Sequence, residues 1–87
     1  MKNLLVVDVG NTNIVIGLFQ GKRLAWTRRF ETQKGISLLR KIPRKNVEGA
    51  VVASVVPRLD RPLRSLLRKM FHVDPLFVSS KIPLPIR

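Results

Sequence analysis

The chain contains no cysteine, which excludes disulfide staples and thiolate metal sites and agrees with a reducing compartment. Its single histidine leaves no second imidazole from which to build a metal centre. No apolar run approaches the roughly 18 residues that a membrane-spanning helix needs, because the stretch at residues 4–7 is halted at once by Asp8. A signal-peptide pattern is missing too: Lys2 alone precedes a short apolar stretch with no small-residue cleavage site. A cytoplasmic protein without a membrane partner is therefore expected. Acidic residues are scarce as well, 5 Asp and Glu against 17 Lys and Arg, and the net charge of +12 attracts polyanions.

What is present suffices for one modest core and not for two, given 87 residues of which 45% are hydrophobic and 25% charged. Residues 3–8 form an apolar run closed by a carboxylate, the pattern of a strand buried on both faces that delivers Asp8 to its C-terminal end. A polar turn at 9–13 leads into a second β-branched strand at 14–19, and Gln20, Gly21 and Lys22 make a hairpin into a third strand at 23–32. In that third strand Leu24, Trp26, Arg28 and Phe30 share one parity, and Ala25, Thr27 and Arg29 the other. The aromatic residues read as core.

Residues 35–42, with Ile36, Leu38, Leu39 and Ile42, predict about two helical turns ended by Pro43. The valine-rich run 49–56 predicts a buried strand parallel to the first, closed by Pro57. Residues 60–72 carry the clearest helical period, with Leu59, Leu63, Leu66, Leu67, Met70 and Phe71 on one side, Asp60 as N-cap and Pro62 in the first turn. A short strand at 76–79 follows. Three hairpin-linked strands, a short helix, a strand, a long helix and a strand suit a mixed sheet covered by helices, without internal repeat or linker.

The stretch that carries chemistry is Asp8, Val9, Gly10, Asn11, Thr12 and Asn13, set between two apolar strands. A glycine there permits a backbone conformation that a side chain would forbid, so that successive N–H groups converge on an anion. Asn11, Thr12 and Asn13 add short polar side chains, and Asp8 can hold a magnesium ion or its waters. The plainer reading is an ordinary hairpin whose Asn, Thr and Gly merely suit a turn.

The sequence DVGNTNIV, from Asp8 through Ile14 to Val15, resembles the first phosphate motif of the type III pantothenate kinases, members of the acetate and sugar kinase, Hsp70 and actin superfamily. GAVVASVVPRL at 49–59 is similar to a strand and proline-marked turn in the first lobe of those kinases, and residues 77–87, ending LPIR, look like the entry to their second conserved block. The resemblance implies an α/β, ribonuclease-H-like fold with a five-stranded mixed sheet, and residues 1–87 as a single N-terminal ATPase-like lobe. It implies transfer of a phosphoryl group from ATP with Mg2+ to pantothenate, opening coenzyme A synthesis, with K+ or NH4+ as a monovalent cation. Asp8, Val9, Gly10, Asn11, Thr12, Asn13, Ile14 and Val15 would contact ATP, and Asp8 the metal.

The same resemblance places the family's general-base aspartate and second lobe beyond Arg87, so the chain is expected to be inactive alone and to act as a homodimer or with a second chain. Residues 33–46 are shorter than the family's first helix and its loop, which implies a thin outer layer and exposed apolar sheet surface. Two alternatives differ in class: a non-catalytic nucleotide-binding or interaction module, and a basic nucleic-acid-binding protein using Arg58, Arg61, Arg64 and Arg68 with Arg40, Lys41, Arg44 and Lys45. A basic stripe opposite an apolar one is the ordinary solvated face of a helix, so contact with nucleic acid is expected to be nonspecific. His72 reads as a helix-capping or solvated residue, and Ser79 and Ser80 as loop residues, since nothing supplies the rest of a triad.

Overall fold

The computed structural model describes residues 2–43 and 46–79, with Leu38 as backbone only, so the expectations placed on Arg44, Lys45 and residues 80–87 lie outside the described residues. Five strands, β1 (Asn3–Val9), β2 (Asn13–Gln20), β3 (Arg23–Glu31), β4 (Gly49–Ser54) and β5 (Leu76–Val78), form one sheet in the order β3-β2-β1-β4-β5. The pairs β1–β2 and β2–β3 are antiparallel, whereas β1–β4 and β4–β5 are parallel. Parallel neighbours need a crossover, and α1 (Asp60–Phe71) supplies it between β4 and β5. The order of elements anticipates this α/β mixed sheet with a helix packed on it, and the arrangement is consistent with the ribonuclease-H-like fold that the resemblance implies.

Strand pleating divides the apolar residues between two faces. On one face Leu5, Val7 and Val9 of β1, Ile14, Ile16 and Leu18 of β2 and Val52 of β4 join a buried cluster with Leu63, Leu66, Leu67, Met70 and Phe71 of α1. Those helical residues recur at spacings of three and four, which gathers them into the single stripe that meets the sheet. On the other face the buried apolar set is Val6, Val15 and Ala53, with Phe19, Val51 and Val78 against them. Leu4 and Leu76 belong to that second face by register and are 37% and 63% exposed.

Four local expectations are corrected. In place of two α-helical turns at 35–42 there are two 3-10 segments, Thr32–Lys34 and Ile36–Lys41, separated by Gly35 at φ 87°. So short a segment gains too few i→i−4 bonds to nucleate an α-helix, and it is held by burial of Leu39 and Ile42.

Pro57 does not close β4, which ends at Ser54; it opens a 3-10 turn, Pro57–Leu59, that runs into α1. For that reason Asp60 is not the N-cap. It is already helical at φ −62° and ψ −49°, and its amide and that of Leu59 are satisfied by i→i−3 bonds to Pro57 O and Val56 O. Asp60 remains in the first turn, where a carboxylate suits the helix dipole.

The register of β3 slips at Leu18/Phe19, so Leu24 pairs with Phe19 while Ala25 packs on the helix-side core with Trp26 and Phe30. A bulge inserts one residue and reverses the parity beyond it, which strict alternation does not anticipate. His72 ends α1 as expected, in the left-handed region at φ 57°, donating its N–H to Arg68 O at 2.9 Å. Among the described residues, no helix is long and apolar enough to cross a membrane.

Candidate functional site

Alternation along β1 turns Val7 and Val9 into the helix-side core and leaves Asp8 between them on the opposite face, only 6% exposed. Asp8 pairs with Val15 of β2, and Val15 with Arg29 of β3, so an acid, a valine and a cation form one row across three strands.

Above that row the chain bends at residues 10–13. Gly10 donates its N–H to Asn13 O at 2.9 Å. The hydroxyl of Thr32 donates to Gly10 O at 2.8 Å, and its N–H donates to Thr12 O at 2.8 Å. Thr32 is 4% exposed, so its own end of both bonds is largely buried, and together they tie the bend to the exit of β3.

Gly10 has a reason to be glycine that differs from the expected one. The described glycines with positive φ are Gly21 and Gly35, and Gly10 is not among them. A Cβ on Gly10 would instead lie 3.1 Å from Asn13 O, tighter than ordinary contact, so a side chain there would press the two backbones apart by a few tenths of an ångström and glycine is favoured by their close approach. Its own N–H is spent within the bend. The amides of Asn11 and Thr12 donate to no backbone carbonyl among the described residues, and both residues are exposed. Among the described residues these two, and not Gly10, are the donors of the bend left without a backbone acceptor.

Asp8, Gly10, Asn11, Thr12, Asn13 and Val15 line one open cavity of about 230 Å³, with Arg29 on its β3 side. Val9 and Ile14 do not join them through their side chains, which are fully buried in the helix-side core; only their backbones flank the bend. Arg29 and Thr32 are the two residues that sequence reasoning misses. For Arg29 a signal exists, its parity opposite to Trp26 and Phe30; for Thr32 none does, because its partners are backbone atoms some twenty positions away.

The donor set suits one kind of metal. Among the described residues no three His, Cys, Asp or Glu side chains cluster as a cage. One carboxylate beside amide and hydroxyl oxygens fits Mg2+, which keeps several waters and takes its remaining ligands from phosphate oxygens.

Elsewhere the chemistry is structural. His72 lies at the far end of α1, hence at the end of the sheet opposite the bend, and Ser79 is an exposed bend residue. Half of the expected basic stripe is engaged: Arg64 and Arg68 each reach Asp74 Oδ1 at 2.9 Å, and Arg64 also stacks 4.9 Å over the Phe77 ring.

The comparisons with known proteins agree with one another. A family model described as type III pantothenate kinase matches residues 4–87. A type III pantothenate kinase of Roseiflexus castenholzii is 36% identical over 92 residues, covering 92% of this chain and 36% of the relative. Relatives of the same description from Myxococcus xanthus and Syntrophotalea carbinolica are 39% and 38% identical, covering 95% and 91% of this chain. The chain spans 36–38% of the length of these curated relatives.

Proposed function

The chain belongs to the type III pantothenate kinase family, and on that premise we propose that residues 1–87 are the ATP-phosphate-binding lobe for phosphorylation of pantothenate to 4'-phosphopantothenate, the first step of coenzyme A synthesis. The observation that carries this reading is the carboxylate of Asp8 held at a strand tip beside a clamped bend, in one cavity with Asn11, Thr12 and Asn13. Asp8 holds Mg2+ or its waters. The metal, when bound, neutralises charge on the phosphate chain. The amides of Asn11 and Thr12, which meet no backbone acceptor among the described residues, and the side-chain N–H and O–H groups of Asn11, Thr12 and Asn13 donate to phosphate oxygens. Phosphoryl transfer depends mostly on positioning and charge stabilisation, so a rigid bend next to a fixed acid is the equipment such a lobe requires.

The same reading has the lobe act in the cytoplasm, as a homodimer or with a second chain that carries the acceptor side. K+ or NH4+ belongs to it by family resemblance. Among the described residues, no cluster of three or more His, Cys, Asp or Glu side chains could hold a metal ion. A second reading, nucleotide binding without turnover by this chain, is favoured by the cavity itself, in which Asp8 is the one acidic lining residue among the described residues.

Melting curves test the proposal. ATP with Mg2+ at about a hundred times its Kd stabilises the native state by roughly 2.7 kcal/mol, read as a rise in Tm. Asp8→Ala is expected to remove that rise. Equal stabilisation of both proteins would mean nonspecific attraction to a +12 chain and would overturn the reading.

A further inference from the structure

We propose that Arg29 recognises the terminal phosphate of the bound nucleotide and sets the preference for a triphosphate over a diphosphate. The inference rests on the phosphate-site reading above and adds to it a residue and a selectivity that the DVGNTNIV motif does not contain.

Three observations carry it. The first is the row: Asp8, Val15 and Arg29 are consecutive register partners across β1, β2 and β3, on the sheet face that α1 does not cover. With strands about 4.8 Å apart, the Cα atoms of Asp8 and Arg29 stand roughly 10 Å from one another. A metal on the acid, one phosphate group and an arginine side chain together span that gap.

The second is the cavity, which Arg29 and Asp8 both line, one sign of charge on each side of an uncharged floor at Val15. A polyphosphate bridging them places its metal-binding oxygens toward the acid and its end toward the guanidinium. A terminal phosphate offers three acceptor oxygens and close to two negative charges, where an internal one offers two oxygens and a single charge. The planar guanidinium fork matches the terminal group best. A diphosphate ends in such a group too, so the selection is one of reach: with two phosphates held at the bend and the acid, a third is needed to extend across Val15 to Arg29.

The third is the contrast with its neighbour. Arg28 lies on the opposite face, its guanidinium 5.2 Å above the Trp26 ring and donating to Thr27 O at 3.0 Å. Arg29 is exposed, and among the described residues it makes no ion pair or ring contact. Two adjacent arginines thus differ in what they touch while contributing equally to net charge. Loss of Arg28 controls for loss of charge in general.

Calorimetric titration of the purified chain with MgATP and with MgADP decides the matter. Arg29→Ala is expected to weaken MgATP roughly tenfold to a hundredfold, the worth of a hydrogen bond to a charged group. MgADP should stay within about twofold, as for a surface substitution away from the ligand. Arg29→Lys should fall between, keeping the charge and losing the fork, and Arg28→Ala should bind both nucleotides as the wild type does. Ligand-free melting curves confirm that each variant is folded. Equal losses for MgATP and MgADP, no loss for either, or the same loss in Arg28→Ala would overturn the assignment. A wild type that binds neither nucleotide would sink the phosphate-site reading itself, an outcome distinct from tight binding indifferent to Arg29.

Discussion

On the helix-covered face of the sheet, Leu5, Val7 and Val9 are sealed beneath Leu63, Leu67 and their neighbours; on the other face β1 presents Val6 and Asp8, and the buried apolar set shrinks to Val6, Val15 and Ala53. One strand serves both faces because its side chains alternate. The difference teaches how a small sheet can carry a charged site. The residues on either side of Asp8 in sequence are fully buried anchors, so the position of the carboxylate is fixed by packing on the far side of the sheet. Stability resides mainly on one face and the site on the other.

The largest expected effect lies on the packed face. Leu63→Ala, at a fully buried position, should cost about 2–5 kcal/mol in denaturant unfolding, while the protein that stays folded keeps its response to ATP with Mg2+. A nucleotide response lost in step with stability would break the division between faces. Next comes the clamp. Thr32→Val removes the hydroxyl that donates to Gly10 O in a part-buried position, and is expected to cost about 1–2 kcal/mol while also diminishing the nucleotide-induced rise in Tm. Full retention of that rise would show that the bend needs no support from β3.

The smallest effect has the opposite sign. His72→Gly should stabilise the chain by about 1 kcal/mol, since glycine adopts the left-handed cap at φ 57° without strain, and should leave nucleotide binding unchanged at the far end of the sheet.

Much of this architecture was legible in the residues. Apolar runs ending in a carboxylate or a proline marked β1 and β4, and the spacing of Leu63, Leu66, Leu67, Met70 and Phe71 marked α1, because burial imposes those patterns directly. What escaped depends on pairing between distant segments. The bulge opposite Leu18/Phe19 moved Leu24 and Ala25 relative to strict alternation, and no local residue announces it. Arg29 entered the cavity only because β2 sets β3 in register with β1.

The site was legible in part for the same reason. Six of the eight residues of the motif line the cavity, and Val9 and Ile14 do not because the pleat sends them to the core. Gly10 was expected to adopt a backbone conformation closed to other residues, and that expectation fails: its φ is not positive, and the crowding is instead a carbonyl 3.1 Å from where its Cβ would be. Asp60 matched the usual N-cap pattern and was displaced by the turn that Pro57 begins.

The central claim, that the bend at residues 10–13 gathers nucleotide phosphate beside Asp8, is tested most directly by amide chemical shifts during titration with ATP and Mg2+. The account predicts the largest changes at Asn11 and Thr12 and a saturable curve, with little change at Arg61 and Lys69 on the exposed side of α1. Changes spread over those basic residues, with the bend unmoved and the effect fading as salt is raised, would contradict it.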